Sequence, residues 1–352
     1  MYSIKETRAD HMLMTDTATD LYVFNQNGIT EINKDALATR RFLSDVNDFG
    51  KVFPYRGGLL FNFNGNMARE KDNVITQMGE GLSPVLLDGE DIIAAERVNT
   101  PHTLQRIKPD GSIQWEKELK LSVERLVHNG TLYFSRIDNV SVRFSIVNKL
   151  SLETGEFKEL INLDDYYHQK NLLTNVRMIR YHILTCYENT LVCLVNDKRI
   201  IGIDIESGAV KWEVEEWYDR DGNKLDGFVG GPLQGGRYGD KIYILQAATF
   251  SCFDLQSNQL IQLKTIQHDL NGSPLFIKLG TLYKDKIFYT ADDKGRNWNR
   301  AGVFDINKEE IIWQTELPLS KGEMLNYNPV ISEKHFFIND NVKNLYIFDK
   351  TS

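Results

Sequence analysis

One phrase recurs along the chain, and its spacing limits the fold more than any other feature. In "IDIESGAVKWEVE", Asp204 is followed four residues on by Gly208 and eight residues on by Trp212. "RIKPDGSIQWEKEL" sets Ile107, Gly111 and Trp115 at the same offsets, and "FDINKEEIIWQTEL" repeats them with Asp305, Glu309 and Trp313. Reduced copies begin at Ser151 ("LSLETGEFKEL", with Gly155), Asp254 ("FDLQSNQLIQL", with Asn258) and Asp349 ("YIFDK"). The anchors 107, 151, 204, 254, 305 and 349 lie 44, 53, 50, 51 and 44 residues apart. A period of ~40–50 residues is that of a four-stranded propeller blade.

A second signature precedes each anchor: a small or charged turn, then a short apolar run. It reads "NGTLYF" at 129–134, "ENTLVCL" at 188–194, "GDKIYIL" at 239–245, "KDKIFYT" at 284–290 and "EKHFFI" at 333–338. Weaker copies are "RGGLLFNF" at 56–63, "GEDIIAA" at 89–95 and "ATDLYVF" at 18–24. These runs are too short for helices and rich in β-branched and aromatic residues, so they read as strands. Eight runs predict eight blades, each with strands a to d. The run is strand b, the segment into the anchor is c, and the segment through the Trp is d. The Gly at offset four falls in the c–d hairpin, where a positive φ excludes most side chains. Asn258 suits that position and Glu309 does not. The Trp is expected to pack between blades.

The chain runs out at "LYIFDKTS", a strand c with no strand d behind it, while "YSIKET" at 2–7 has no sheet of its own. An unpaired edge at the seam is a liability. The expectation is therefore an all-β fold: a single β-propeller over 1–352, with eight four-stranded antiparallel blades. Its ring is closed by the N-terminal strand pairing with the C-terminal blade. Blade 1 runs from about His11 to Ser44, and its last segment, "ATRRFL", also has helical character. Seven blades is the alternative count.

Composition narrows the class. The 352 residues are 41% hydrophobic, enough to bury a large core, and the net charge is −8 with no basic tract. Nucleic acid is thereby excluded as the expected partner. The three cysteines, Cys186, Cys193 and Cys252, have no CxxC spacing and imply neither a disulfide framework nor a zinc site. Cys193 lies in the apolar run "LVCLV" and reads as core. No stretch approaches ~20 apolar residues, so no membrane span is expected. The N-terminus shows no apolar signal region, so the expected location is cytoplasmic; a removed signal peptide would make it periplasmic.

In a blade the a–b and c–d connections leave one end, and the b–c and d–a connections leave the other. The c–d turns are tight, so binding residues are sought on the longer connections. These are 164–175 between blades 4 and 5, 216–240 between blades 5 and 6, and 292–300 in blade 7. They carry Tyr166, Tyr167, His168, Trp217, Tyr218, Arg220, Arg237, Tyr238, Trp298 and Arg300, residue types that give large contact areas with a polar handle. Within "DRDGNKLD", Asp219, Asp221, Asn223 and Asp226 present oxygen at alternating positions, as Ca²⁺ requires. Yet Gly222 stands at position 4 of that loop, no Glu follows at position 12, and "DGN" is also an ordinary hairpin turn. His11, His102, His128, His168, His182, His268 and His335 are scattered, and no HExxH, GxSxG or Walker pattern occurs. No residue is assigned a catalytic role.

The repeat, best in Asp204–Gly208–Trp212 and Ile107–Gly111–Trp115, resembles that of the pyrroloquinoline-quinone-type propellers. The resemblance covers the chain from about residue 83 onward and, more faintly, the first 80 residues. That superfamily includes the quinoprotein dehydrogenases and an outer-membrane assembly lipoprotein scaffold. The resemblance implies the eight-bladed fold. Its dehydrogenase branch carries an adjacent-cysteine disulfide, a Ca²⁺ site beside the quinone and a secretion signal. None of the three cysteines here adjoins another, so a non-catalytic member without quinone is expected. No lipobox cysteine marks the scaffold branch either.

The functional expectation is a monomeric, protein-binding propeller, either an interaction scaffold or an immunity-type neutraliser of a partner such as a toxin. An acidic chain suits a partner with a basic patch. The competing expectation is an enzyme or small-ligand sensor with a central pocket on the same face.

Overall fold

The computed structural model describes residues 2–9, 12–25, 28–43, 52–72, 74–96, 103–119, 121–136, 145–170, 179–196, 198–225, 235–266, 268–292, 298–320, 322–325 and 327–350. They fall into two compact units, Met1–Asp45 with Glu216–Ser352, and Val46–Glu215.

Every one of the eight apolar runs forms the second strand of a four-stranded antiparallel blade. In Val46–Glu215 the blades are Val52–Tyr55, Gly58–Phe63, Asn66–Lys71, Val74–Gly79 (blade 2); Leu82–Asp88, Asp91–Glu96, Thr103–Ile107, Ile113–Glu118 (blade 3); Leu121–His128, Thr131–Arg136, Ile146–Ser151, Phe157–Asn162 (blade 4); and Tyr181–Tyr187, Thr190–Val195, Arg199–Asp204, Val210–Val214 (blade 5). The other unit holds Met12–Asp16, Asp20–Asn25, Gly28–Asn33, Thr39–Leu43 (blade 1); Gly235–Tyr238, Lys241–Gln246, Thr249–Asp254, Gln259–Thr265 (blade 6); and Phe276–Tyr283, Lys286–Asp292, Arg300–Asp305, Glu310–Glu316 (blade 7). Blade 8 has Val330–Ile331, His335–Asn339 and Leu345–Asp349, and its fourth strand is the N-terminal Ser3–Arg8, antiparallel to Leu345–Asp349. The segment "ATRRFL" is a strand, not a helix.

The inner strands are largely buried because each blade is covered on both faces. Thr190–Val195 and Arg300–Asp305 are buried along their whole length, whereas Ser3–Arg8 and Val74–Gly79 are largely exposed. The core is a series of clusters between neighbouring blades. Phe250 of blade 6 meets Tyr289 and Phe304 of blade 7. Phe288 and Val303 of blade 7 meet Phe336 and Phe348 of blade 8, and Phe337 and Ile347 of blade 8 meet Leu21 and Val23 of blade 1. Blades 2 to 5 are joined in the same way. All three cysteines are buried and none forms a disulfide, and Cys193 lies in the core as expected.

The anchor residue has a definite task. Asp204 Oδ1 accepts the backbone N–H groups of Glu206 and Ser207 at 3.1 and 2.8 Å, and Asp254 and Asp305 accept the corresponding pairs at 2.9–3.0 Å. Ser151 does the same with its hydroxyl, toward Thr154 N–H at 3.2 Å. The carboxylate thus holds the hairpin open for the residue at offset four, whose N–H bonds back to the anchor carbonyl in Gly208, Gly155 and Glu309. That residue has φ +75° at Gly208, +55° at Asn258 and +56° at Glu309, so Glu309 takes the conformation its side chain disfavours. The same turn occurs at Asn33, with Leu37 at φ +55°, an anchor the repeat spacing had not revealed.

Two of the repeat Trp residues, Trp115 and Trp313, pack against the next blade. Trp115 of blade 3 donates its indole N–H to the Leu152 carbonyl of blade 4 at 2.8 Å, and Arg106 donates to the same oxygen. Gly155 lies against the Trp115 ring; a Cβ there would stand 2.7 Å from Cγ. Trp313 packs among Tyr2, Phe336 and Phe348 of blade 8 at 5.5–5.6 Å between centroids. These residues therefore build the fold and are not site candidates.

Gly208 and Gly111 separate two effects of a glycine. Both have positive φ, but only at Gly208 is a Cβ blocked, by the Leu160 carbonyl oxygen of blade 4 at 2.0 Å. Gly111→Ala is expected to cost about 1 kcal/mol, from φ alone. Gly208→Ala is expected to cost that plus a further ~1–3 kcal/mol of overlap. Urea unfolding midpoints measure both, and equal losses would show that this hairpin does not bear on blade 4.

Candidate functional site

In the Val46–Glu215 unit, the first part of the expected 164–175 loop is a helix, Leu163–Gln169. Asn162 caps it by accepting Asp164 N–H at 3.0 Å, and Asp164 and Asp165 suit the positive end of its dipole. Leu163 and Tyr167, four residues apart, share one face and are buried in the core of blades 4 and 5. Tyr167 is thus a packing residue, contrary to the expectation of a surface contact. Burial pushes its phenol pKa up, and the Glu213 carboxylate adds to that shift. Tyr166 is half-buried: its hydroxyl donates to Glu213 at 3.2 Å, and the Lys170 amine lies 4.6 Å from its ring centroid. His168 is exposed. Residues 171–175 lie outside the described residues.

In the other unit, part of 216–240 is a small hairpin, Trp217–Tyr218 with Lys224–Leu225. It adds in parallel to the outer strand of blade 6, Trp217 opposite Leu260 and Tyr218 opposite Ile261, which buries Trp217. The hairpin tip carries Arg220 to Glu309, in the c–d turn of blade 7. That corrects the topological expectation, which sent this segment to the opposite end of the blades; strand pairing lays it along the edge instead. Tyr218 donates to Glu216 at 2.5 Å. Arg237 and Tyr238 are exposed, with Arg237 bonded to the Gly239 carbonyl at 2.8 Å.

The Asp219 loop closes on itself. Asp219 Oδ1 accepts the N–H groups of Asp221 and Asn223 at 2.9 and 2.8 Å, and Oδ2 accepts Asn223 Nδ2 at 2.9 Å. Gly222 supplies the positive φ. Asp269 builds the same turn with Asn271, Gly272 and Ser273, and Asp340 builds it with Val342, Lys343 and Asn344. The Asp219 oxygens therefore face N–H donors, the arrangement of a turn. Asp226 lies outside the described residues. Among the described residues no group of three or more His, Cys, Asp or Glu is placed to hold a metal ion.

The last two expected residues lead to a connected surface. Trp298 is partly buried and donates its indole N–H to Thr290 Oγ1 at 3.0 Å; its carbonyl accepts Leu325 N–H at 3.0 Å. Arg300 is buried, donating to the Pro274 carbonyl at 2.8 Å and pairing with Asp269 at 3.3 Å. Met324 and Asn341 are joined by two hydrogen bonds, one in each direction, both 2.9 Å. Segments 268–275, 298–300, 322–325 and 340–344 are thus tied into one frame across blades 6, 7 and 8. On it stand Leu270, Met324 and Val342, exposed by 56%, 40% and 44%. Sequence reasoning missed these three because an apolar residue reads as core until its exposure is known.

Beside this frame a cleft of about 510 Å³ opens between blades 6 and 7, lined in part by Lys264, His268, Asp269, Leu270 and Glu309. Two of its charged groups serve the fold: Lys264 donates to the Glu309 carbonyl at 2.6 Å, and Asp269 holds its turn and Arg300.

No family model matches the chain, and no curated protein matches it in sequence. Solved structures do match in fold. The computationally designed Ika8 protein aligns with a TM-score of 0.60 at 10% identity, covering 99% of this chain and 98% of that one. Sqt1 from Saccharomyces cerevisiae gives 0.59 at 11% identity over 100% and 98%, and BamB from Moraxella catarrhalis gives 0.57 at 9% over 99% and 100%. The fold is a β-propeller. At such identities the likeness speaks for fold alone. No helix among the described residues is long and apolar enough to cross a membrane.

The Asp269 turn gives the frame a pH dependence. Burial raises its carboxyl pKa, but hydrogen bonds from Gln314, Ser273 and Asn271 and the charge of Arg300 together hold it below the ordinary range. A carboxyl depressed in the folded state stabilises above its unfolded value, about 4, and loses that contribution as pH falls further. Asp269→Asn is expected to cost about 1–3 kcal/mol at pH 7. The gap from the parent should close as pH drops below about 4. Unfolding curves at both pH values check this, and a gap independent of pH would remove the charge from the explanation.

Proposed function

We propose that this chain is a non-catalytic, protein-binding member of the pyrroloquinoline-quinone-like propellers. It acts as an interaction scaffold or an immunity-type neutraliser, without quinone or Ca²⁺. The observation that carries this reading is the set Leu270, Met324 and Val342, apolar side chains held in water on connections fixed by mutual hydrogen bonds. Exposed apolar groups on a rigid frame lose little freedom when covered, which is how docking surfaces gain affinity. Of the loops expected to bind, 164–175, 216–240 and 292–300, the end of the third belongs to this frame through Trp298 and Arg300. The repeat chemistry supports the family reading: an Asp-held turn, a left-handed residue at offset four, and an indole bonded to the next blade. With a net charge of −8, the partner sought is a cytoplasmic protein bearing a basic patch, drawn in by complementary charge.

Co-purification of the untagged protein from its own cells tests this. A stoichiometric protein partner is the expected result. Met324→Glu and Val342→Glu should each weaken that complex at least about tenfold, as loss of a central apolar contact does, with little change in melting temperature. Recovery of the chain alone, together with turnover of a carbohydrate or ester panel, would favour the enzyme reading instead.

A further inference from the structure

Gly155, Gly208 and Asn258 fill offset four of their anchor turns, but blade 7 has Glu309 there, at φ +56°. A side chain that persists in the left-handed region against its conformational cost points to a use for it. Glu309 has one. Its carboxylate accepts the guanidinium of Arg220, at the tip of the hairpin Trp217–Tyr218 with Lys224–Leu225. That hairpin is a unit in itself: Asp219 closes its turn, and Glu216 accepts both the Tyr218 hydroxyl and the Lys224 amine. At its base Trp217 and Tyr218 pair with Leu260 and Ile261 of blade 6. At its tip, among the described residues, Arg220 to Glu309 is the one side-chain bond that reaches another blade. The pair stands in water, with the Arg220 side chain 54% exposed. Glu309 also lines the cleft between blades 6 and 7, next to the exposed Glu310. With Arg220 in place the Glu309 charge is neutralised; without it, two adjacent residues offer the cleft carboxylates.

We propose that the hairpin 217–225 is a strap latched to blade 7 by Arg220, and that a basic side chain of a partner releases it by taking the Glu309 carboxylate. The chain's own guanidinium shows what this position accepts: a cation, and one whose planar donor fork matches a carboxylate. An ion pair in water exchanges one cation for another with little desolvation in between, and its hold is weak enough to be overcome. The released strap stays tethered through its pairing with blade 6. A partner of that charge is the one proposed above, and it reaches the cleft beside Leu270, which belongs both to the cleft and to the docking frame. Closed, the strap keeps the cleft's affinity for cations low; open, it leaves the Glu309 carboxylate to the partner.

Hydrogen exchange of the hairpin in the full chain tests the strap. The probe is hexa-arginine, added to about 1 mM at fixed ionic strength, the weak limit of specific binding. The expected result is an about two- to fivefold loss of hairpin protection in the parent, the reach of one exposed ion pair. Glu309→Gly should show that loss with no peptide present, and none further when peptide is added. Its melting temperature should stay near the parent's, because glycine relieves the positive φ as the ion pair is lost. Arg220→Gln, which leaves the backbone at 309 alone, should behave alike if the first variant folds poorly. Equal protection in the parent and both variants would overturn the proposal. So would a peptide that leaves the parent unchanged, or one that loosens Glu309→Gly as much as the parent. The chain is measured alone, so these failures leave the docking surface standing, and a failed co-purification leaves the strap's result standing.

Discussion

Everything in this structure depends on one constraint: a four-stranded blade has two apolar faces and cannot cover either alone. Its inner strands are buried only when neighbours stand on both sides. The phenylalanines show this most clearly. Phe336 and Phe348 of blade 8 stack at 4.3 Å, and Phe288 of blade 7 closes on Phe336 at 5.1 Å. Dispersion and hydrophobic gain are shared across the blade boundary, so no blade owns its own core. The hairpins and their docking contacts regulate the spacing of that arrangement. The Leu152 carbonyl, receiving both an indole and a guanidinium, fixes where blade 4 stands against blade 3.

This constraint explains why so much of the fold was legible. A strand buried on both faces must be largely apolar, so "TLVCLV" and "KIFYTAD" announce themselves. An Asp that must accept two backbone N–H groups and a residue that must turn left-handed leave a fixed spacing. Blade 1 was faint for a physical reason: Asn33 does the work of Asp, Leu37 sits where Gly is expected, and no Trp follows. The helix at Leu163–Gln169 was hidden because seven residues give too few turns for a periodic pattern to show.

The site was less legible, because sequence reports residue type and not exposure. Aromatic and basic residues on long connections looked available. Tyr167, Trp217 and Arg300 turned out to be fastenings, holding a helix, a hairpin and a turn in place. His168, Arg237 and Tyr238 do face water, but so do Leu270, Met324 and Val342, which are of the kind a reader assigns to the core. The "DRDGN" stretch gave the same ambiguity in another form: alternating oxygens serve a cation or a turn equally well on paper. In the structure the Asp219 carboxylate accepts the N–H groups of Asp221 and Asn223 and forms a turn.

The pairing of Ser3–Arg8 with Leu345–Asp349 has a consequence for how the chain comes into being. Two strands far apart in the sequence, Ser3–Arg8 and Leu345–Asp349, are made at very different times yet pair with each other. During synthesis Ser3–Arg8 has no partner until Leu345–Asp349 has been made. The loop that this pairing closes spans almost the full sequence, which makes it among the slowest contacts to form and raises the mean separation of native neighbours. Once formed, it ties two distant segments of the sequence together, so that release of one and loosening of the other become a single event.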